Sequence, residues 1–292
     1  MLLQRAIVAS VLFACPPRRS APHCSELGPP QRPQNLPPMP QPAVSSGEAP
    51  PDPAYDAAYD PDVWLRREDV RYDDGMGVPS GRGYCVSYLP FTVEGNHTRA
   101  VLLLAAGGRA APDGEPNEAT LRSLADRVAL SCECVVLMPR LAGGARRWQH
   151  AALLAEVDAA TRYVCRQHGA QTLGVLAMGE AASVATELMS QGALEAHALV
   201  TMGPSRPTPA ALREVGAPLL CLLGDDEPGA AAMRQALALN AKLRGQYYVT
   251  PFEGCAPDFL LGPASDEEAA AADQAASFAL AWFDRHVPES AR

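Results

Sequence analysis

From Trp64 onward the sequence predicts a doubly wound α/β domain, a mostly parallel sheet with helices on both faces. Two observations carry this reading. Short apolar runs alternate with stretches whose apolar residues recur at helical spacing, and each parallel crossover needs a helix to return the chain. The runs themselves are continuous, as in Ala100-Val-Leu-Leu-Leu-Ala105, which fits strands covered on both faces. The composition permits such a core: the chain has 292 residues, 48% hydrophobic and 20% charged.

The elements follow in order. Tyr72 to Tyr88 supplies one or two antiparallel strands, and Ala100–Ala105 is the first core strand. Asn117 to Leu130 is a helix, with Leu121, Leu124, Ala125 and Val128 on one face and Asn117 as its cap. Cys132 to Met138 is a strand halted by Pro139, and Leu153 to His168 a helix with a Leu154, Val157, Thr161 and Val164 stripe. Thr172–Ala177 and Ala198–Met202 are strands either side of an Ala181–Gly192 helix. Ala217–Leu223 is a strand ended by Gly224-Asp225-Asp226. Ala230–Arg244 is a helix, Gln246–Phe252 the last strand, and Asp266–His286 a closing helix with Phe278, Trp282 and Phe283 inward.

Charge and composition exclude several classes of function. The net charge is −9, and the 24 basic residues include a single lysine, Lys242, so no Lys-rich run exists to neutralise a nucleic-acid backbone. The apolar run Ala6–Cys15 is about half the roughly 20 residues that a bilayer span needs, which argues against an integral membrane span. Eight cysteines are too dilute for a disulfide scaffold, and most are expected as buried thiols. Cys132-Glu133-Cys134, on a strand, would face one way, but no second pair with metal-ligand spacing follows; no metal or cofactor is expected.

Residues 1–25 carry Arg5, Arg18 and Arg19 with an apolar stretch between and no acidic residue ahead of Glu26, the order of a targeting peptide. The expected destination is an organelle (plastid or mitochondrion) or the secretory pathway; an untargeted low-complexity leader is the plain alternative. Residues 26–62 are proline-rich and nearly devoid of aliphatic side chains, and read as a disordered tether. The folded domain is then 63–292. Asn96-His97-Thr98 fits a glycosylation sequon if the leader leads to a secretory compartment.

In doubly wound sheets chemistry sits at the carboxyl ends of the strands. Leu173-Gly-Val-Leu-Ala-Met-Gly-Glu-Ala-Ala182 has the strand-turn-helix layout of a nucleophile elbow, where a tight turn lifts one side chain above the sheet. Read this way, the lifted position is Ala177. With this elbow the chain resembles the dienelactone hydrolase family of the α/β-hydrolase superfamily over roughly Tyr72 to His286. The Gly-x-Cys-x-Gly-Gly segment of that family is set against Val175-Leu176-Ala177-Met178-Gly179-Glu180. Leu121-Arg-Ser-Leu-Ala-Asp-Arg-Val-Ala129, Pro139-Arg140-Leu141 and Leu223-Gly224-Asp225-Asp226 match its helix, its Pro-x-Leu and its acid-bearing loop.

The resemblance implies an α/β-hydrolase fold and a Cys-His-Asp triad acting on esters or lactones, and the chain departs from that triad. The nucleophile slot is Ala177 and the His slot Pro257, while Asp226 retains the acid. The family's Glu after the first core strand is replaced within Ala105-Ala106-Gly107-Gly108. The expectation is a catalytically silent, hydrolase-like binding or structural module. A small carbonyl or carboxylate ligand would sit between Gly107, Gly108 and the amide of Met178, or a protein partner would use the domain. The alternatives are an active ester or lactone hydrolase rearranged around Asp226 and Cys255, or an accessory subunit of an organellar assembly. Asp225 and Asp226 equally suit a turn cap, Met178 and Met202 a packed core, His150 a loop, His168 a helix cap and His286 the surface.

Overall fold

A computed structural model of the chain describes residues 64–73, 79–88, 98–106, 118–140, 150–203, 207–225, 227–256, 259–260 and 263–289. The expected targeting peptide and tether, Asn96 and His97 of the sequon and the Asn117 cap lie outside the described residues, as do Gly107, Gly108, Asp226 and Pro257. Eight strands form one sheet: β1 (Leu65–Asp73), β2 (Pro79–Tyr88), β3 (Arg99–Ala106), β4 (Val135–Pro139), β5 (Thr172–Gly179), β6 (Ala198–Met202), β7 (Leu219–Leu223) and β8 (Tyr247–Pro251). Their spatial order is β1-β2-β4-β3-β5-β6-β7-β8. β2 runs antiparallel to β1 and β4, and from β4 onward all pairs are parallel.

Among the described residues five helices lie between strands, α1 (Glu118–Ser131), α2 (His150–His168), α3 (Glu180–Ser190), α4 (Pro209–Glu214) and α5 (Glu227–Ala238), and a sixth, α6 (Asp266–His286), follows the last strand. Strand residues alternate between the two faces. Leu102, Leu104, Val175 and Ala177 join a core under α2, α3, α4 and α5, whereas Val101, Leu103, Leu176 and Met178 join one under α1 and α6. All of these are buried, which is why the strands read as unbroken apolar runs. Among the described residues no helix is long and apolar enough to cross a membrane.

The edge strand β1 begins at Leu65, ahead of the expected Tyr72; two other expected elements shift for local reasons, and one short helix was not expected. Cys132–Cys134 is not strand: α1 runs to Ser131 and the chain turns through Glu133 at φ 49° before β4 begins. Both thiols are nonetheless buried. The helix expected over 230–244 starts at Glu227 and stops at Ala238, because Asn240 takes over the backbone groups. Its amide donates to the carbonyls of Leu212 (2.8 Å) and Val215 (2.9 Å), and its oxygen accepts from the Lys242 amide (2.9 Å). The short helix α4 carries too few residues to show a helical period; Thr208 caps it by accepting from the Ala211 amide. Among the described cysteines, Cys165 alone is exposed.

A buried arginine ties helices α1 and α6 to the sheet. Arg99, at the amino end of β3, donates to the carbonyls of Val287 (2.7 Å), Asp284 (3.2 Å) and Cys132 (3.3 Å). These are the carboxyl ends of α6 and α1, where unpaired carbonyls and the helix dipole favour a cation. Removing the guanidinium would strand three carbonyls, so Arg99→Met is expected to cost about 3–5 kcal/mol in denaturant unfolding. At the other end of α1, the guanidinium groups of Arg140 and Arg122 hold Glu118 below the usual carboxylate range. A lowered native pKa adds stability above the unfolded value and loses it as pH falls through the native one. The pair is solvent-screened, so Glu118→Gln should cost at most about 1 kcal/mol at neutral pH. That deficit should close on acidification below about pH 4, measured by thermal melts across pH.

Candidate functional site

The carboxyl ends of β3, β5, β6, β7 and β8 converge on one rim. At its centre β5 passes into α3 through Gly179, which has φ 62° and ψ −133°. An L side chain rarely adopts that backbone, and this abrupt strand-to-helix turn is the geometry of a nucleophile elbow. The lifted position is therefore Gly179 and not Ala177. Ala177 lies inside β5 paired with Leu104 and Thr201, fully buried toward the α2 to α5 face. The sequence register was two residues early.

Shifting the register moves the other roles. Met178 is a strand residue between Ala105 and Met202, so its amide is not the one that follows the turn. That place belongs to Glu180, the first residue of α3, whose amide has no intrahelical acceptor. No side chain caps this helix start. Ala106, the last residue of β3, pairs with Gly179, so the chain leaves β3 toward Gly107 directly beside the turn.

Met178 contributes its side chain instead. With Met202, Leu124, Leu260 and Ala272 it lines an open cavity of about 420 Å³ between α1 and α6 at the carboxyl ends of β5 and β6. Arg127 and Asp273 face each other across its mouth, 2.5 Å apart. Both methionines are buried, so they pack the core and floor this cavity together.

The segment after β8 closes one side. Ser265 accepts from the Glu268 amide (3.2 Å), and the Glu268 carboxylate reaches back to the amides of Ala264 (2.6 Å) and Ala256 (2.8 Å), in the manner of a capping box. Beneath it Phe259 is fully buried and stacks obliquely on Phe252, with ring centres 5.3 Å apart. Asp225, after β7, donates its amide to the Cys255 carbonyl (2.9 Å) and accepts from the Gly254 amide through its carboxylate (3.3 Å). Asp225 thus staples one loop to the next. Cys255 itself is buried, and burial with the carboxylates of Glu268 and Asp225 nearby pushes its thiol pKa up. Those surroundings suppress the thiolate that a nucleophile needs.

Histidines whose side chains are described lie elsewhere. His197 accepts from the Leu173 amide at the amino end of β5. His286 packs on Trp282 (4.3 Å between ring centres) near the carboxyl end of α6, and burial lowers its pKa. His168 is the last residue of α2, the basic helix end expected of it, and its ring also lies beside Cys85. His150 opens α2, and its side chain lies outside the described residues.

No protein-family model matches the chain, and no curated protein matches it by sequence. Solved structures do match. A dienelactone hydrolase from Anabaena variabilis ATCC 29413 superposes with a TM-score of 0.58 at 18% identity, over 77% of this chain and 100% of its own. A putative dienelactone hydrolase from Klebsiella pneumoniae subsp. pneumoniae MGH 78578 gives 0.57 at 17% identity, over 76% and 99%. A dienelactone hydrolase-like promiscuous phosphotriesterase from metagenomic libraries gives 0.56 at 15% identity, over 77% and 99%. Strand order, the elbow turn and these neighbours agree: the chain has the α/β-hydrolase fold.

Proposed function

We propose that this chain is a catalytically silent α/β-hydrolase-fold protein that binds a small, mostly apolar molecule in the cavity between α1 and α6. One observation carries the reading: the elbow residue is Gly179, which offers no atom to attack a carbonyl. Correcting the register from Ala177 to Gly179 leaves this reading intact, because both slots lack a nucleophile. Pro257 in the His slot of the resemblance points the same way, since a nucleophile, its base and its orienting acid act as a unit.

What a nucleophile's absence spares is the rest of the rim. The cavity keeps an apolar floor in Met178 and Met202 and one basic group, Arg127, at its mouth. A short acyl or aryl carboxylate suits this arrangement: its apolar body covers the methionines and its carboxylate takes the place of Asp273 on Arg127. The leader, in this reading, delivers the domain to an organelle or the secretory pathway.

The test is turnover of short-chain esters and lactones by the full chain. No turnover above background is expected, with Cys255→Ala indistinguishable from wild type. Gly179→Cys should stay inert, because its thiol would keep a pKa of about 8.5 with no imidazole adjacent among the described residues. A non-glycine residue at this φ should also cost about 1–3 kcal/mol in unfolding. Robust hydrolysis by wild type, lost in Cys255→Ala, would establish a rearranged hydrolase instead. For binding, octanoate is the probe. Saturable binding by calorimetry is expected, abolished by the cavity-filling Ala272→Trp and weakened about tenfold by Arg127→Gln. Equal binding by Ala272→Trp would remove the cavity from the proposal.

A further inference from the structure

The opposite edge of the sheet holds a cluster that the elbow does not use. β1 and β2 are paired so that Glu68 lies directly across from Cys85. Both face α2, because Glu68 shares its side of β1 with the buried Val70 and Tyr72. The last residue of α2, His168, comes down on the pair, with its Nε2 3.7 Å from the Cys85 Sγ. One carboxylate oxygen of Glu68, the Cys85 sulfur and one His168 ring nitrogen all lie within 4.8 Å of one another.

We propose that Glu68, Cys85 and His168 form a three-residue site for a divalent ion of zinc type, with a water molecule completing the tetrahedron. The chemistry of the set favours zinc. A thiolate and an imidazole select a borderline-soft ion over magnesium or calcium, which prefer all-oxygen shells. Thiolate and imidazole bound at about 2.3 and 2.0 Å in a tetrahedron stand about 3.5 Å apart, close to the separation found here. Glu68 is the partly exposed arm; a change of rotamer that trades its Arg66 ion pair for the ion closes the remaining distance. Charge also balances: a dication meets one thiolate and one carboxylate, leaving no net charge at a site whose sulfur is fully buried.

The surroundings support the donors. Arg66 holds the Glu68 carboxylate at 3.2 Å, and Tyr163 packs edge-on to the His168 ring with centres 5.7 Å apart, fixing its tilt. Burial lowers the pKa of His168, so at neutral pH the imidazole has a lone pair to give. Burial, followed by the Glu68 carboxylate, pushes the Cys85 thiol up to about 12. The ion therefore has to displace a proton, which leaves to solvent as the sulfur–metal bond forms. Access is from the Glu68 and His168 side, where both side chains are partly exposed.

The experiment uses the full chain, stripped with chelator and titrated with cobalt(II) chloride as a spectroscopic substitute and zinc chloride by calorimetry. Binding of one equivalent is expected, with thiolate-to-cobalt charge-transfer absorption and release of a proton. Glu68→Gln and His168→Gln should each weaken binding by at least about tenfold, the loss that even an outer-shell change incurs. Cys85→Ser should abolish the charge-transfer band. Should that fully buried substitution fail to fold, the two partly exposed variants still decide. His23→Gln with Cys24→Ser and, separately, Cys165→Ser should leave the band unchanged. No charge-transfer absorption, or a band and affinity unmoved by Glu68→Gln and His168→Gln, would overturn the site and leave a thiol–imidazole hydrogen bond in its place. None of these readouts involves the cavity or ester turnover.

Discussion

Burial of both faces of the sheet is the constraint from which the rest follows, and the Arg99 guanidinium shows how it is met. A strand as apolar as β3 has no side to spare for water, so α1 and α6 have to close one face completely. Closing it brings the carboxyl ends of both helices over the amino end of β3, where their last carbonyls would be buried without donors. A planar, permanently charged group with five N–H donors satisfies them from a single position, which a lysine could not do. The amino-terminal halves of α1 and α6 lie at the carboxyl edge of the sheet. The cavity over Met178 and Met202 opens between them.

The fold carries its usual functional landmarks to that edge. The turn at Gly179 has the positive-φ backbone of an elbow, the helix start behind it is uncapped by any side chain, and the loops after β7 and β8 are stapled by Asp225. Backbone geometry and side-chain chemistry separate here. The first depends on the strand-to-helix connection and survives any residue that tolerates a positive φ; the second depends on a single atom that glycine does not possess.

Much of the fold was legible in the amino-acid sequence because its signals are local and repetitive. The closing helix Asp266–His286, β6 and the alternation of runs and stripes were read from spacing alone. The elbow was placed two residues early because Ala177 and Gly179 are both small and the resemblance set the family's Cys against Ala177. The bend is a tertiary outcome: it falls where β5 has exhausted its partners, with Ala106 of β3 opposite Gly179. The glycine's tolerance of positive φ, set directly before the acidic start of α3, was the signal available. The Cys132-Glu133-Cys134 segment misled in the other direction, since a turn and a strand of three mostly apolar residues look alike. Glu68, Cys85 and His168 were beyond reach. They are scattered along the chain, and only the β1–β2 register and the length of α2 bring them together.

Glycine at the elbow is also the residue that the turn itself prefers. A hydrolase holds a side chain at a backbone conformation that costs it stability, because the attacking atom must stand clear of the sheet. When no attack is required, that strain has no function, and a residue without a Cβ releases it. The same reasoning explains why the surrounding architecture is intact. Strands β3, β5 and β6, the aromatic packing of Phe252 on Phe259 and the Glu268 bonds to the loop all serve the core as much as the rim. On the proposed reading, a chain relieved of catalysis would keep them for stability, and with them an apolar opening at the rim.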